Sequence, residues 1–102
     1  MLMKKKIVVL GSTGSIGSTT IQIIKNNLKD FNVIAISTNK NIRKILKQAK
    51  LVRVKNIIIN DKKSYLICRK KFNKKKINVF RNHSDFKKKL KLKIDYTMCA
   101  IS

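Results

Sequence analysis

Residues 7–17 join an apolar run to a glycine-rich turn and read Ile7-Val8-Val9-Leu10-Gly11-Ser12-Thr13-Gly14-Ser15-Ile16-Gly17. All three glycines of the chain lie in this turn, and the sequence contains no proline. The apolar run predicts a buried strand. The spacing after the turn predicts a helix with one face formed by Ile16, Thr20, Ile23, Ile24 and Leu28. A strand, a glycine-rich turn and a helix in this order predict a nucleotide site, because the helix N-terminus offers free N–H groups to phosphate.

Apolar runs of strand type and segments of helical spacing alternate along the rest of the chain. The further predicted strands are residues 33–36, 57–59, 77–80 and 96–101. Lysines fill the face opposite the clearest helical stripe, which consists of Ile42, Ile45, Leu46, Ala49 and Val52.

Two polar residues are predicted to cap the later helices. Asp61 follows the third strand, and we expect it to cap a helix whose apolar face contains Tyr65, Cys68 and Phe72. Ser84 is expected to cap a short helix that carries Phe86 and Leu90.

This alternation predicts an α/β fold of Rossmann-like type, with a mostly parallel sheet and helices on both faces. No linker or repeat divides residues 1–102, so we expect a single domain. Ser102 follows directly on the last predicted strand, at the edge where strand ends line a ligand crevice. We therefore expect a domain truncated after about the fifth strand.

The net charge of +22 raises the question of a nucleic-acid partner. Lysine outnumbers arginine 22 to 4, and A/T-rich codons would produce this excess without selection for a partner. The lysines are dispersed, with few aromatic residues among them for base stacking, so we expect no specific nucleic-acid binding.

No apolar run reaches the length of a membrane span, and we expect a cytoplasmic protein. Cys68 and Cys99 lack metal-ligand spacing and are expected to be buried structural residues.

The residues after the second strand indicate which nucleotide is bound. A site that prefers NAD has an acidic residue about 20 positions past the glycines. This chain instead has Asn39, Lys40 and Asn41, with Arg43 one helical turn further. Cationic and hydrogen-bonding groups suit a 2′-phosphate, which predicts NADPH. The alternative is that Lys40 is simply one of 22 surface lysines.

Catalytic groups are scarce in the sequence. The chain has no glutamate, and its four aspartates are scattered. His83 is the single histidine and is expected in an exposed loop, with no carboxylate at hand to orient it. We predict a cofactor site, no catalytic residue and no metal site within these residues.

The glycine-rich stretch resembles the N-terminus of the 1-deoxy-D-xylulose 5-phosphate reductoisomerase family, which opens with the same Gly-Ser-Thr-Gly-Ser-Ile-Gly loop. The resemblance continues through residues 31–36, Lys40-Asn41, Asn60-Asp61 and Met98-Cys99-Ala100-Ile101. It covers the whole chain but only the N-terminal NADPH-binding part of a longer enzyme, whose catalytic and C-terminal domains would be absent here.

The resemblance implies an NADPH-dependent enzyme that converts 1-deoxy-D-xylulose 5-phosphate to 2-C-methyl-D-erythritol 4-phosphate in non-mevalonate isoprenoid biosynthesis. It also implies a divalent metal (Mg²⁺, Mn²⁺ or Co²⁺) and a homodimer for the complete enzyme, and an inactive 102-residue chain. The implied cofactor-binding residues are Gly11, Ser12, Thr13, Gly14, Ser15, Ile16, Gly17, Asn39, Lys40, Asn41, Ala100 and Ile101. The family usually has glycine where this chain has Asn39, a residue that tolerates the left-handed region.

Two other interpretations stay open at this point. One is another NADP-dependent reductase with a Gly-x-x-Gly-x-x-Gly loop, similar to aspartate-semialdehyde dehydrogenase. The other is a small basic nucleic-acid-binding protein.

Overall fold

The computed structural model describes residues 4–71 and 76–101, in which strands and helices alternate. The strands are β1 (Lys5–Leu10), β2 (Phe31–Thr38), β3 (Asn56–Ile59), β4 (Asn78–Phe80) and β5 (Tyr96–Cys99). The helices are α1 (Ser15–Lys25), α2 (Ile42–Leu51), α3 (Lys62–Lys71) and α4 (His83–Lys89). In the part of the chain so described, no helix has the length and hydropathy needed to cross a membrane.

The five strands form one parallel sheet in the order β4-β3-β2-β1-β5. The chain moves outward from β1 to β4 and then returns to the other side of β1 to form β5. The strand order therefore reverses between β1 and β5, which is where ligands bind in open α/β sheets. The predicted Rossmann-like fold is confirmed.

Helices cover the two faces of the sheet unequally. Ile7 and Val9 of β1 belong to a core cluster that includes buried residues of α1, α2 and α3. Val8 points to the opposite face, where Phe86 of α4 packs. Phe86 is fully buried and meets Phe80 edge to face, with ring centroids 5.4 Å apart. Among the described helices, α4 packs on this face, and α1, α2 and α3 pack on the other.

The rotation of α1 differs from the one that the apolar spacing predicts. Ile16 and Ile23 are 65% and 57% exposed, whereas Gly17, Ile21 and Ile24 are buried. The reason is the close contact between Gly17 and the turn that precedes the helix. Because Gly17 has no side chain, the helix can approach the turn closely there. The side of α1 that contains Gly17, rather than the side that contains Ile16, therefore packs toward the sheet.

The later helices match their predicted positions with one correction. Asp61 caps α3 as predicted, since its carboxylate accepts hydrogen bonds from the Ser64 amide (3.0 Å) and hydroxyl (2.8 Å). Ser84 does not cap α4: Asn82 does, by accepting from the Asp85 amide at 2.8 Å. Asn82 precedes the helix in extended backbone, which is the conformation a cap requires. Phe72, which is predicted on the same helical face as Tyr65 and Cys68, lies outside the described residues.

The strand β5 is exposed at all four of its positions. Continuous apolar character predicted a strand covered on both faces, but the described helices pack over the other strands. For this reason Cys99 is exposed, contrary to prediction, while Cys68 is buried in the core as predicted. Burial also raises the pKa of the Cys68 thiol.

Candidate functional site

A groove of about 430 Å³ lies at the carboxyl edge of the sheet, across the ends of β1, β2, β3 and β5. It is lined by Gly11, Thr13, Gly14, Ser37, Thr38, Asn39, Asn60, Ala100 and Ile101. Six of the twelve predicted cofactor-binding residues are therefore in its wall. The groove includes the point between β1 and β5 where the strand order reverses.

Gly11 turns the chain away from β1 in a conformation that favours glycine. Its φ is +76°, and a Cβ at this position would lie 2.8 Å from the Ile101 side chain. The Ala100 amide donates to the Leu10 carbonyl at 2.8 Å, which keeps the end of β5 against this turn. The turn and the end of β5 thus form two walls of one groove.

Gly17 lies in a crowded position, whereas Gly14 has room for a side chain. A Cβ at Gly17 would lie 2.1 Å from the Gly11 carbonyl oxygen and 2.6 Å from Ser12 Cα, so only glycine lets α1 pack this closely on the turn. At Gly14 the nearest atom to a Cβ is 3.7 Å away, and the residue is exposed at the groove. The structure places Gly17 behind the groove and Gly14 in it.

The N-terminus of α1 opens toward the groove with its amides available. The first hydrogen bond of the helical type runs from the Ser18 amide to the Gly14 carbonyl (2.8 Å). The amides of Ser15, Ile16 and Gly17 therefore precede the helical ladder. Gly14 provides no side-chain cap, and the first turn has no acidic residue. Such an end attracts an anion through its N–H groups and the helix dipole.

Several hydroxyls near the turn are used within the protein rather than facing the groove. Ser12 is fully buried, and its hydroxyl lies 2.7 Å from Gln48 Oε1 and 3.2 Å from the Ser37 carbonyl oxygen. The hydroxyls of Thr13 and Thr38 share a hydrogen bond of 2.6 Å. Ser12 thus supports the turn from behind, a position that the sequence motif alone does not distinguish from the groove wall.

The segment after β2 lies beside the groove at the start of α2. Asn39 lines the groove, and its carbonyl accepts from the Asp61 amide at 3.0 Å. Lys40 is exposed, and the Asn41 side chain caps α2 by accepting from the Lys44 amide at 3.1 Å. Within the described residues Arg53 is the one non-glycine residue with positive φ, so Asn39 does not use the left-handed region.

Positive charge surrounds Asp61 at this end of the groove. Hydrogen bonds from Ser64 lower the pKa of Asp61, and the charges of Lys40 and Arg81 act in the same direction. The Arg81 guanidinium also donates to the Asn60 carbonyl. Lys40 and Arg81 thus bring positive charge to the end of the groove that Asn39 lines.

Sequence reasoning missed the part played by Gln48. This glutamine lies on the inward side of α2, between the buried Ile45 and Ala49, and its side chain reaches the backbone of the glycine-rich turn. A polar residue inside an apolar helical stripe is the signal that identifies such a position.

The described residues hold little acid–base chemistry. Residues 4–71 and 76–101 contain no group of three or more histidine, cysteine or acidic side chains placed to hold a metal. His83 begins α4 rather than lying in a loop, and its ring is 6.3 Å from that of Phe86. Burial, with a smaller effect of the Lys87 charge, lowers the pKa of His83. The uncapped helix end and the open groove are therefore suited to holding an anionic nucleotide.

Comparison with known proteins points to one family. The sequence profile of 1-deoxy-D-xylulose 5-phosphate reductoisomerase matches residues 7–102. The reductoisomerase of Pelagibacter ubique is 47% identical over 100 residues, which are 96% of this chain and 26% of that protein. The enzyme of Buchnera aphidicola subsp. Acyrthosiphon pisum is 46% identical over 74 residues, or 72% of this chain and 19% of that protein.

Solved structures give the same result for the fold. The Zymomonas mobilis reductoisomerase in complex with NADPH superimposes with a TM-score of 0.82 at 28% identity, covering 97% of this chain and 26% of that one. A reductoisomerase in complex with NADPH, fosmidomycin and magnesium has a TM-score of 0.80 at 20% identity, which supports the fold alone. The chain spans about a quarter of the length of the Pelagibacter and Zymomonas proteins.

Proposed function

The chain belongs to the 1-deoxy-D-xylulose 5-phosphate reductoisomerase family, and on that premise we propose that it forms the NADPH-binding domain of such an enzyme. The observation that carries this proposal is the uncapped N-terminus of α1, which opens into a groove at the point where the strand order reverses. Family membership decides against a dehydrogenase of the aspartate-semialdehyde type and against a nucleic-acid-binding protein.

In this proposal the pyrophosphate of NADPH lies against the glycine-rich turn. The amides of Thr13, Ser15 and Ile16 donate to its oxygens. Gly14, whose own amide donates to the Gly11 carbonyl at 3.3 Å, leaves room for its approach. Gly11, Ser12 and Gly17 contribute through the shape of the turn rather than through side-chain contact.

The two ends of the cofactor extend from this point in opposite directions. The adenosine 2′-phosphate lies toward Asn39, Lys40 and Asn41, where the Lys40 ammonium supplies positive charge. The nicotinamide lies toward Ala100 and Ile101 at the end of β5. NADPH would supply a hydride when bound, and the described residues would bind and orient it.

We further propose that a protein containing this chain converts 1-deoxy-D-xylulose 5-phosphate to 2-C-methyl-D-erythritol 4-phosphate, as a cytoplasmic homodimer that uses a divalent metal. The described residues do not fit a metal centre, so no step of this proposal runs through residues 4–71 or 76–101 as metal ligands. Loss of NADPH absorbance on addition of the phosphosugar would test the activity.

Calorimetric titration with NADPH and NADH at 0.15 M salt tests the cofactor site. We expect NADPH to bind at least about tenfold more tightly, because a charged hydrogen bond contributes about 1.5–3 kcal/mol. Lys40→Ala should remove this preference by weakening NADPH binding alone. Lys47→Ala, which removes an exposed lysine on α2, the helix that follows Lys40, should change neither affinity. Equal binding of the two nucleotides would refute the preference, and no saturable binding would refute the site.

A further inference from the structure

The buried polar side chains of the described residues meet at one place in the fold. They are Ser12, Ser37, Thr38 and Gln48, and each is at most 5% exposed. In the described part of the chain, every buried side-chain nitrogen or oxygen has a hydrogen-bond partner. Burying polar groups is costly unless they are paired, so this cluster restricts the positions that its members can take.

Gln48 binds Ser12 through both ends of its amide. Its Nε2 donates to the Ser12 carbonyl at 2.7 Å, and its Oε1 accepts from the Ser12 hydroxyl at 2.7 Å. Since a backbone carbonyl only accepts, the orientation of the Gln48 amide is determined. A side chain from α2 therefore binds the residue directly before Thr13 at two points.

Ser37 binds the same turn from the end of β2. Its hydroxyl accepts from the Gly11 amide at 2.8 Å, and its carbonyl accepts from the Ser12 amide at 2.9 Å. Ser12 is thus held between the sheet on one side and α2 on the other. The groove-lining residues Thr13 and Gly14 follow immediately.

We propose that Gln48, together with Ser37, is a positioning residue of the nucleotide site. The two side chains set the place of the glycine-rich turn so that the amides of Thr13, Ser15 and Ile16 face the pyrophosphate together. Gln48 touches no groove-lining position with its own polar atoms and acts through Ser12. The inference rests on the proposed NADPH-binding function and adds residues of α2 and β2 to it.

Gln48→Glu gives the sharpest test, because a carboxyl group has the shape of the amide. Near neutral pH the carboxylate would accept from the Ser12 hydroxyl but repel the Ser12 carbonyl. Once protonated, its O–H would donate to that carbonyl and restore the original pattern. Burial raises the pKa of such a carboxyl, so its protonation can be followed at pH values at which the protein can be studied.

The probes are NADP⁺, which is stable in acid, and 2′-AMP, which lacks the pyrophosphate. At pH 8 we expect Gln48→Glu to bind NADP⁺ at least about tenfold more weakly than the parent, equivalent to about 1.4 kcal/mol. This deficit should shrink as the pH falls to about 5.5, while 2′-AMP binding relative to the parent stays unchanged. Gln48→Leu should lose NADP⁺ affinity at every pH. Gln22→Leu, at an exposed glutamine of α1, should match the parent.

Urea unfolding of each variant ensures that affinities are compared where the chains are folded. If folded Gln48→Leu, which has no titrating group, binds NADP⁺ as tightly as the parent, Gln48 is only structural and the inference is wrong. Equal losses for NADP⁺ and 2′-AMP would also contradict it, since they would indicate general damage. A parent chain that does not bind NADP⁺ would refute the proposed function itself.

Discussion

Alanine at Gly17 and alanine at Gly14 should have different effects, although both glycines belong to one motif. A Cβ at Gly17 would lie 2.1 Å from the Gly11 carbonyl oxygen and 2.8 Å from the Ser12 carbonyl carbon. Both are backbone atoms of the turn and cannot rotate away. Either α1 or the turn must therefore shift, and the buried hydrogen bonds of Ser12 shift with the turn.

The change in the free energy of unfolding that we expect for Gly17→Ala is the sum of two opposing effects. Alanine favours a helix over glycine by about 1 kcal/mol. Overpacking a well-filled contact costs about 1–3 kcal/mol, and a backbone contact this short belongs at the upper end. The free energy of unfolding should fall by about 2 kcal/mol.

Urea unfolding followed by far-ultraviolet circular dichroism measures this loss. With a slope of about 1 kcal/mol per molar urea, the midpoint should fall by about 2 M. Thr19→Ala is the matched control, because it changes an exposed residue of the same helix without this contact. Its midpoint should equal or exceed that of the parent.

Gly14→Ala should leave stability nearly unchanged and weaken cofactor binding. The backbone at Gly14 has φ −74° and ψ 179°, which alanine adopts freely, and the added methyl would make an ordinary contact of 3.7 Å with the Gly11 carbonyl oxygen at the edge of the groove. We expect a stability change within about 1 kcal/mol and a Kd for NADPH raised by about tenfold or more. A Gly17→Ala chain as stable as the parent, or a Gly14→Ala chain that binds NADPH normally, would refute these separate roles.

Three further predictions concern the stability of the fold. Arg53 follows α2 with φ +58°, so Arg53→Gly should raise the free energy of unfolding by about 0.5–1 kcal/mol, whereas Lys50→Gly inside the helix should lower it by about 1 kcal/mol. Phe86→Ala should cost about 3–5 kcal/mol in a urea titration, and a loss below 1 kcal/mol would mean that α4 is not packed on the sheet. Because the folded-state pKa of Asp61 is lowered, its contribution to stability is present above the ordinary aspartate pKa and disappears as pH falls through the lowered value. Asp61→Ala should therefore reduce the acid dependence of unfolding below about pH 4, and an unchanged dependence would contradict the capping role.

Much of the fold could be predicted from short-range pattern. The run at residues 7–10 and the stripe from Ile42 to Val52 identified a strand and a helix because burial imposes a period on each element. The capping by Asp61 was also predictable, since the hydrogen bonds of a cap join residues three positions apart. The rotation of α1 was not predictable, because it depends on contact between Gly17 and the preceding turn.

The candidate site also has one part that the sequence predicts and one part that it does not. The glycine-rich turn and the absence of an acidic residue from the loop after the second strand are visible in the sequence, and they led to the prediction of NADPH. That Ser12 faces inward while Gly14 faces the groove is not visible, although the two are only two positions apart. The apolar stripe of α2 can mark Gln48 as an inward polar residue, but its hydrogen bonds join residues 36 positions apart, so no local pattern identifies Ser12 as its partner.

The sequence by itself determined the alternation of strands and helices, the place of the glycine-rich turn and the family. These properties depend on residue type and spacing, which act over one turn or one strand. The tertiary structure alone decided the strand order, the exposure of β5 and which residues of the turn support it rather than line the groove. Those properties arise where distant segments compete for the same space and the same hydrogen-bond partners, and the competition is settled only when the sheet and helices pack together.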